Sequence, residues 1–396
     1  MRGSGVVVEP AAAQDCQPGA LALALGGLVA MAAAMGIGRF VYTPILPRMT
    51  EALGMTKGAA GLIASANFAG YLAGAAAAAA PMLRGSRRRW FLLGLALSAA
   101  TTGAMAFVSS MGWFVALRFL GGVGSAFVLV FASALVLDRL RASGRGDLAA
   151  LHFAGVGSGI ALSAILVSVL VAKGADWRIL WLAGGIVSAV ALAAAAGLIP
   201  DRTDAAGVAR APAARADRRL TAFAAAYGLF GFGYVITATF LVAIVRGSPE
   251  VRSLETLVWV VVGLAAIPSV VLWTAVGQQI GIGRAFAAAC ATQAAGVAAS
   301  VLWIAPAGVF LAALLLGGTI MGLTSLGLIA GQRLSPGDPR ATLAVMTACF
   351  GVGQMVGPAF AGVVRDATGS FLLPSIAAAV ALLLGALFAA LAGSDI

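Results

Sequence analysis

The chain has 396 residues, of which 61% are hydrophobic and only 10% charged. Soluble domains carry about 25% charged residues, so this composition excludes soluble enzymes, disordered scaffolds and secreted disulfide modules. The 25 basic and 14 acidic residues leave a net charge of +11, but the basic residues sit in short loops between apolar runs. There they read as topology signals beside an anionic membrane face, and no nucleic-acid partner is expected.

A membrane-spanning helix needs about 20 apolar residues. Apolar runs fall at about 21–43, 58–81, 90–109, 112–137, 148–172 and 178–199, then at about 220–245, 254–277, 285–304, 307–331, 341–364 and 371–392. Twelve spans are therefore predicted, all helical, because in lipid the backbone must satisfy its own hydrogen bonds and the alternation of barrel strands is absent. Residues 1–20 hold Arg2, Glu9 and Asp15 and no apolar core of their own, so they are predicted to be a tail and not a cleaved signal peptide. The polar stretch 200–219 is predicted to be a cytoplasmic linker between two six-helix bundles, 21–199 and 220–396.

Loop charge sets the expected orientation. With both ends inside, the cytoplasmic loops carry fifteen basic residues and the opposite loops seven, as the positive-inside rule requires. Trp113, Trp177 and Trp303 fall near outer span ends and Trp90 near an inner one, where interfacial aromatics are expected.

The two halves read as copies. The string G-I-G-R-F-V-Y-T-P-I-L at 36–46 in span 1 lies opposite G-F-G-Y-V-I-T-A-T-F-L at 231–241 in span 7, an offset of 195. Gly155 and Gly159 in span 5 lie opposite Gly353 and Gly357 in span 11, an offset of 198. A parallel repeat of six and six spans is one of the arrangements of secondary transporters.

Several motifs carry a resemblance to the major facilitator superfamily over essentially the whole chain. P-M-L-R-G-S-R-R-R at 81–89 is similar to the superfamily's loop signature after span 2, and R-F-L-G-G-V-G-S-A at 118–126 is similar to its span 4 signature. Asp176-Trp177-Arg178 matches the usual W-R before span 6. More narrowly, the strings at 36–47 and 227–234 resemble the YbfB/YjiJ branch. The resemblance implies an all-α membrane protein with twelve transmembrane helices in two six-helix bundles, spans 1, 4, 7 and 10 lining a central cavity. It also implies gating roles for the basic loop, here Arg84 and Arg88. The pattern departs where the signature's acidic residue is Leu83 and where Gln278 stands at the corresponding place after span 8. Gly353-x-x-x-Gly357-Pro358 resembles a signature of drug antiporters but lies in span 11, while span 5 has Ile160 in place of the proline.

Charge at membrane depth costs roughly 2.5–3.5 kcal/mol on insertion scales, so such residues are functional candidates. Arg39, Arg118 and His152 qualify, whereas all acids fall in tails, loops or span ends. Arg39 and Arg118, both in outer parts of their spans, are placed to converge on one anion in forked fashion. Each has a bland alternative: Arg39 snorkels to the interface, Arg118 bonds carbonyls of span 1, and His152 is a packing histidine. Tyr42, Tyr234, Thr237 and Gln354 complete the candidate substrate residues, with His152, Arg84 and Arg88 assigned to coupling or gating. Asn67, Tyr71, Thr239, Gln293 and Thr324 are further polar groups in spans. Cys16, Cys290 and Cys349 form neither a disulfide framework nor metal spacing, and no cofactor or nucleotide site is expected.

These readings point to a monomeric inner-membrane secondary transporter of a small organic solute, an organic anion above all, with any proton coupling carried mainly by the substrate, and not to an enzyme. A proton-coupled multidrug efflux pump is the alternative within transport, and a non-transporting receptor or assembly subunit the alternative outside it.

Overall fold

The computed structural model describes residues 19–79, 85–201, 218–335 and 339–392. Every regular element among the described residues is helical. The predicted spans form as Ala20–Leu53, Lys57–Ala79, Arg87–Phe107, Met111–Ala142, Gly146–Ala172 and Trp177–Leu198, then Arg218–Arg246, Arg252–Ile280, Ile282–Leu302, Pro306–Arg333, Thr342–Thr368 and Leu372–Leu391. We number them 1 to 12. Twelve alternating passes return the chain to the side where it began. That side is called proximal here and the other distal.

Span 1 runs ten residues beyond its predicted end, through Pro44 and Pro47. Its 34 residues rise about 51 Å, more than the roughly 30 Å hydrocarbon core, so its distal turns project toward water and carry Glu51. Span 7 starts at Arg218, inside the expected linker, the rest of which up to Pro200 and Asp201 lies outside the described residues. Leu83 and Arg84 lie outside them too.

The central spans are set apart by burial. In their apolar windows spans 1, 4 and 10 are 61% buried and span 7 78%, against 33% for spans 6 and 11. This ordering makes 1, 4, 7 and 10 an inner ring, and the outer helices turn residues such as Val190 and Leu384 toward lipid.

Lipid gives helices no hydrophobic drive to associate, so close backbone packing through small residues holds them together. A Cβ on Gly155 would strike the Leu28 carbonyl, and one on Gly159 the Ala32 carbonyl, where span 5 lies on span 1. The repeat shows the same device: a Cβ on Gly353 would strike the Gly228 carbonyl, and one on Gly357 would sit 2.6 Å from Val235 Cγ1, where span 11 lies on span 7. Between the first six spans and the last six, the largest contacts are span 2 with span 11 and span 5 with span 8. They are equally bare, with a Cβ on Gly157 falling 2.7 Å from the Gly263 carbonyl oxygen.

The Asp176-Trp177-Arg178 motif has a local reason. Asp176 caps span 6 by accepting from the Ile179 N–H at 2.9 Å, and Arg178 donates to the Ala106 carbonyl at 2.6 Å and the Ser109 hydroxyl at 2.7 Å. Trp177 is buried against Phe114, ring centroids 6.0 Å apart, instead of facing the interface as predicted. Trp113 and Trp303 are exposed as expected.

Candidate functional site

Arg39 lies near the middle of span 1 and is buried, at 4% exposure, so it does not snorkel. Its guanidinium stands 4.2 Å from the Tyr71 ring centroid and 5.1 Å from that of Phe68, both on span 2. Across the boundary between the halves it faces the Tyr234 hydroxyl of span 7. Its Nε and Nη2 have no protein partner. A ring face offers about 2 kcal/mol to a desolvated cation, less than the several kcal/mol that burial removes. Among the described residues the acids sit at span ends or in loops, so no carboxylate neutralises this charge. The centre is electropositive.

Opposite Arg39 the C-terminal six spans present an aromatic stack. Tyr227 lies on Phe350 at 4.7 Å and 17°, and Tyr234 is parallel to the same ring within 10°. Gln354 donates from Nε2 to the Tyr234 hydroxyl, leaving its Oε1 without a partner. Thr237, three residues from Tyr234, is fully buried and its hydroxyl is also unpaired. Of the expected substrate residues, the structure gathers Arg39, Tyr234 and Gln354. The stack itself was missed, because Phe230 and Phe350 look in sequence like any apolar span residue.

Arg118 does not join Arg39 on one anion. Its Nη1 donates to the Gly38 carbonyl at 2.7 Å and its Nη2 to the Arg39 carbonyl at 2.9 Å. These carbonyls follow a π-helical turn, Ala32–Ile37, where the helix is irregular. The guanidinium lies 5.2 Å from the Tyr42 ring and 5.8 Å from the Trp181 ring. Tyr42 faces the same way, donating to the Ala60 carbonyl at 2.8 Å. Both residues thus brace span 1 within the N-terminal six, and Arg118 holds the very peptide that carries Arg39.

Distal to the centre, span 1 and span 7 remain in contact. Thr43 donates to the Ala238 carbonyl at 2.7 Å. Further out, Arg246 makes two 2.6 Å bonds to Glu51 and bonds Glu255 at 2.8 and 2.9 Å, while Arg48 reaches Glu255 at 3.4 Å. Asp366 of span 11 accepts from the N–H groups of Lys57 and Gly58, which begin span 2, at 3.0 and 2.6 Å. The distal end is latched shut. None of these acids stood out in sequence, because each lies at a span end where a solvated charge is unremarkable.

The residues assigned to coupling lie elsewhere. His152 is fully buried in span 5, its ring against Gly27 of span 1 beside Val136 of span 4, and neither ring nitrogen has a protein partner. It faces the interior of the N-terminal six. Arg88 donates to the Ile199 and Ala196 carbonyls at 2.7 and 2.6 Å, capping span 6 within the same six. Arg84 lies outside the described residues.

In backbone arrangement the chain is similar to crystal structures of the nucleoside transporter NupG and of a point mutant of it. Each has a TM-score of 0.69 at 14% identity, over 94% of this chain and 98% of the other. A comparison with curated proteins finds no match. The family described as "Uncharacterised MFS-type transporter YbfB" matches residues 31–390. With twelve spans, a central ring of four and a family match over nearly its whole length, the chain belongs to that branch of the major facilitator transporters.

Proposed function

We propose that the protein carries a small organic anion across the membrane, by rocking two six-helix bundles, 21–199 and 220–396, about the centre formed by Arg39, Tyr234 and Gln354. The observation that carries this reading is the Arg39 guanidinium: buried, held over aromatic faces, with two nitrogens free and no carboxylate beside it. An anionic group forks onto such a guanidinium, and its apolar or aromatic body stacks on Tyr234 and Phe350. Loop charge supports an inner-membrane protein with both termini cytoplasmic, which makes the proximal side cytoplasmic and the latched distal side external. Protons enter, on this reading, with the substrate or by exchange, and the protein works as a monomer.

The parallel rings of Tyr227, Phe350 and Tyr234 also favour a second reading, a neutral planar heteroaromatic solute. The nucleoside named for the structural neighbour belongs to that class. Thermal shift of the purified protein across acidic, neutral and cationic aromatic solutes separates the two, since a ligand of the folded state raises its apparent stability. Stabilisation by carboxylates that is lost in Arg39→Gln supports the anion. Stabilisation by neutral compounds alone, unchanged in Arg39→Gln, refutes it.

A further inference from the structure

A cavity of about 350 Å³ opens at the distal end, toward the small end of the roughly 300–1,000 Å³ common for ligand pockets. It lies away from Arg39 and straddles the two sixes, with Glu51 and Lys57 on one side and Arg246, Arg365 and Phe371 on the other. Three cations and one acid line it. The acid is engaged, because both Glu51 oxygens accept from Arg246. Lys57 and Arg365 are held far more loosely. Lys57 reaches the Thr50 hydroxyl at 3.1 Å, and Arg365 meets Asp366 only at 4.0 Å. That carboxylate already accepts from the two backbone N–H groups that begin span 2. The lining also holds an apolar patch of Phe371, Leu372 and Ile304, with the Arg365 guanidinium 5.9 Å from the Phe371 ring.

Two like charges facing one cavity repel each other, and an anion between them relieves that repulsion while sharing its oxygens with both. We propose that this cavity is a second ligand site, which takes an amphipathic organic anion: its head between Lys57 and Arg365, its apolar body on Phe371 and Leu372. Lys57 begins span 2 and Arg365 lies in span 11. The head therefore bridges the two sixes, and the site is complete only while the distal end is shut. Occupancy selects the closed end, because a ligand shifts an equilibrium by its differential affinity for the two states. The ligand acts as an inhibitor from the distal side, whatever the central site transports.

The test uses naphthalene-2-sulfonate, which keeps its charge at all working pH values, on full-length protein in nanodiscs with Cys16 and Cys349 replaced by serine. Ser248→Cys lines the cavity, and Thr43→Cys lies at the buried crossing of spans 1 and 7 and reports opening. Labelling of both by a charged methanethiosulfonate should slow roughly ten-fold at about ten times the Kd, where about one site in eleven is empty. The protection should persist in Arg39→Gln and in Lys57→Arg/Arg365→Lys, and vanish in Lys57→Gln/Arg365→Gln. Unchanged labelling at 248, or protection kept in the charge-neutral double variant, overturns the site. Protection lost in Arg39→Gln alone places the sulfonate at the centre and overturns it as well. Protection at 248 with unchanged labelling at 43 overturns the locking.

Discussion

Arg39 and Tyr234 stand 195 residues apart and meet at the centre of the bundle. The same separation joins Thr43 to Ala238 and Glu51 to Arg246, and it is the offset at which the strings beginning at Gly36 and Gly231 repeat. Positions 39, 43 and 51 fall on one face of span 1, spaced by whole multiples of four. At these three points along the line where spans 1 and 7 cross, a residue therefore meets its own repeat-mate, as residues on a two-fold axis do in a symmetric dimer. The mates are not identical, and the pairs they form are complementary: guanidinium with hydroxyl, hydroxyl with carbonyl, carboxylate with guanidinium. The axis thus holds the candidate site at its middle and the distal latch at its end.

Tyr234→Phe removes the hydroxyl that accepts from Gln354 and faces the Arg39 guanidinium, while leaving the ring stack intact. The buried Gln354 amide loses its partner, and an unmade bond of that kind costs about 1–3 kcal/mol. The variant should melt earlier than wild type, and an acidic ligand that satisfies Arg39 should recover part of the loss. Equal melting of variant and wild type in the absence of ligand would show that the hydroxyl is not holding the centre.

Arg118→Lys replaces a fork across two adjacent carbonyls with a point donor that reaches one of them. Losing one charge-assisted bond costs about 1.5–3 kcal/mol, so the thermal midpoint should fall. Ligand affinity measured well below that midpoint should change little, because Arg118 acts on the span 1 backbone and not on solute. A variant with normal melting and strongly weakened anion binding would return Arg118 to the substrate.

How much of this was legible follows from what each feature depends on. The twelve spans and their division into six and six could be read because lipid imposes a length and a composition on every crossing. Arg39 stood out because a charge at depth is costly, and the offset of 195 even named its partner, although only the fold shows that mates on spans 1 and 7 touch. Arg118 stood out for the same reason, but the sequence alone leaves contact with solute and bonding to span 1 carbonyls equally open. Its partners are carbonyls, which carry no sequence signal, and nothing in A-A-A-M-G-I announces a π-helical turn. The aromatic stack escaped for the opposite reason, since Phe230 and Phe350 satisfy the apolar rule whether they face lipid or the centre.

Glu51→Gln should weaken the distal latch. The Glu51 side chain is 56% exposed, so the pair is worth about 1 kcal/mol at most, and its loss shifts the balance toward distal opening about five-fold. Labelling of a cysteine placed at Thr43 should rise by that factor, and added salt should raise labelling of the parent in the same direction. Labelling that stays constant or falls would mean that the ion pair does not hold the end shut.

His152→Gln tests where protons travel. The ring packs on Gly27, twelve residues before Arg39, which places it roughly 18 Å away along span 1 at 1.5 Å per residue. It is buried among spans 1, 4 and 5 of the N-terminal six. A proton carrier must exchange with one side and then the other as the bundles rock, and a side chain walled inside one bundle has no such path. Coupling should therefore reside in the substrate, as entry of anion with proton or as anion exchange. In proteoliposomes with an imposed pH gradient, His152→Gln should accumulate an acidic substrate as wild type does, apart from any loss of folded protein. Uncoupled transport in the variant, with substrate exchange intact, would make His152 the carrier and require its pocket to open during the cycle.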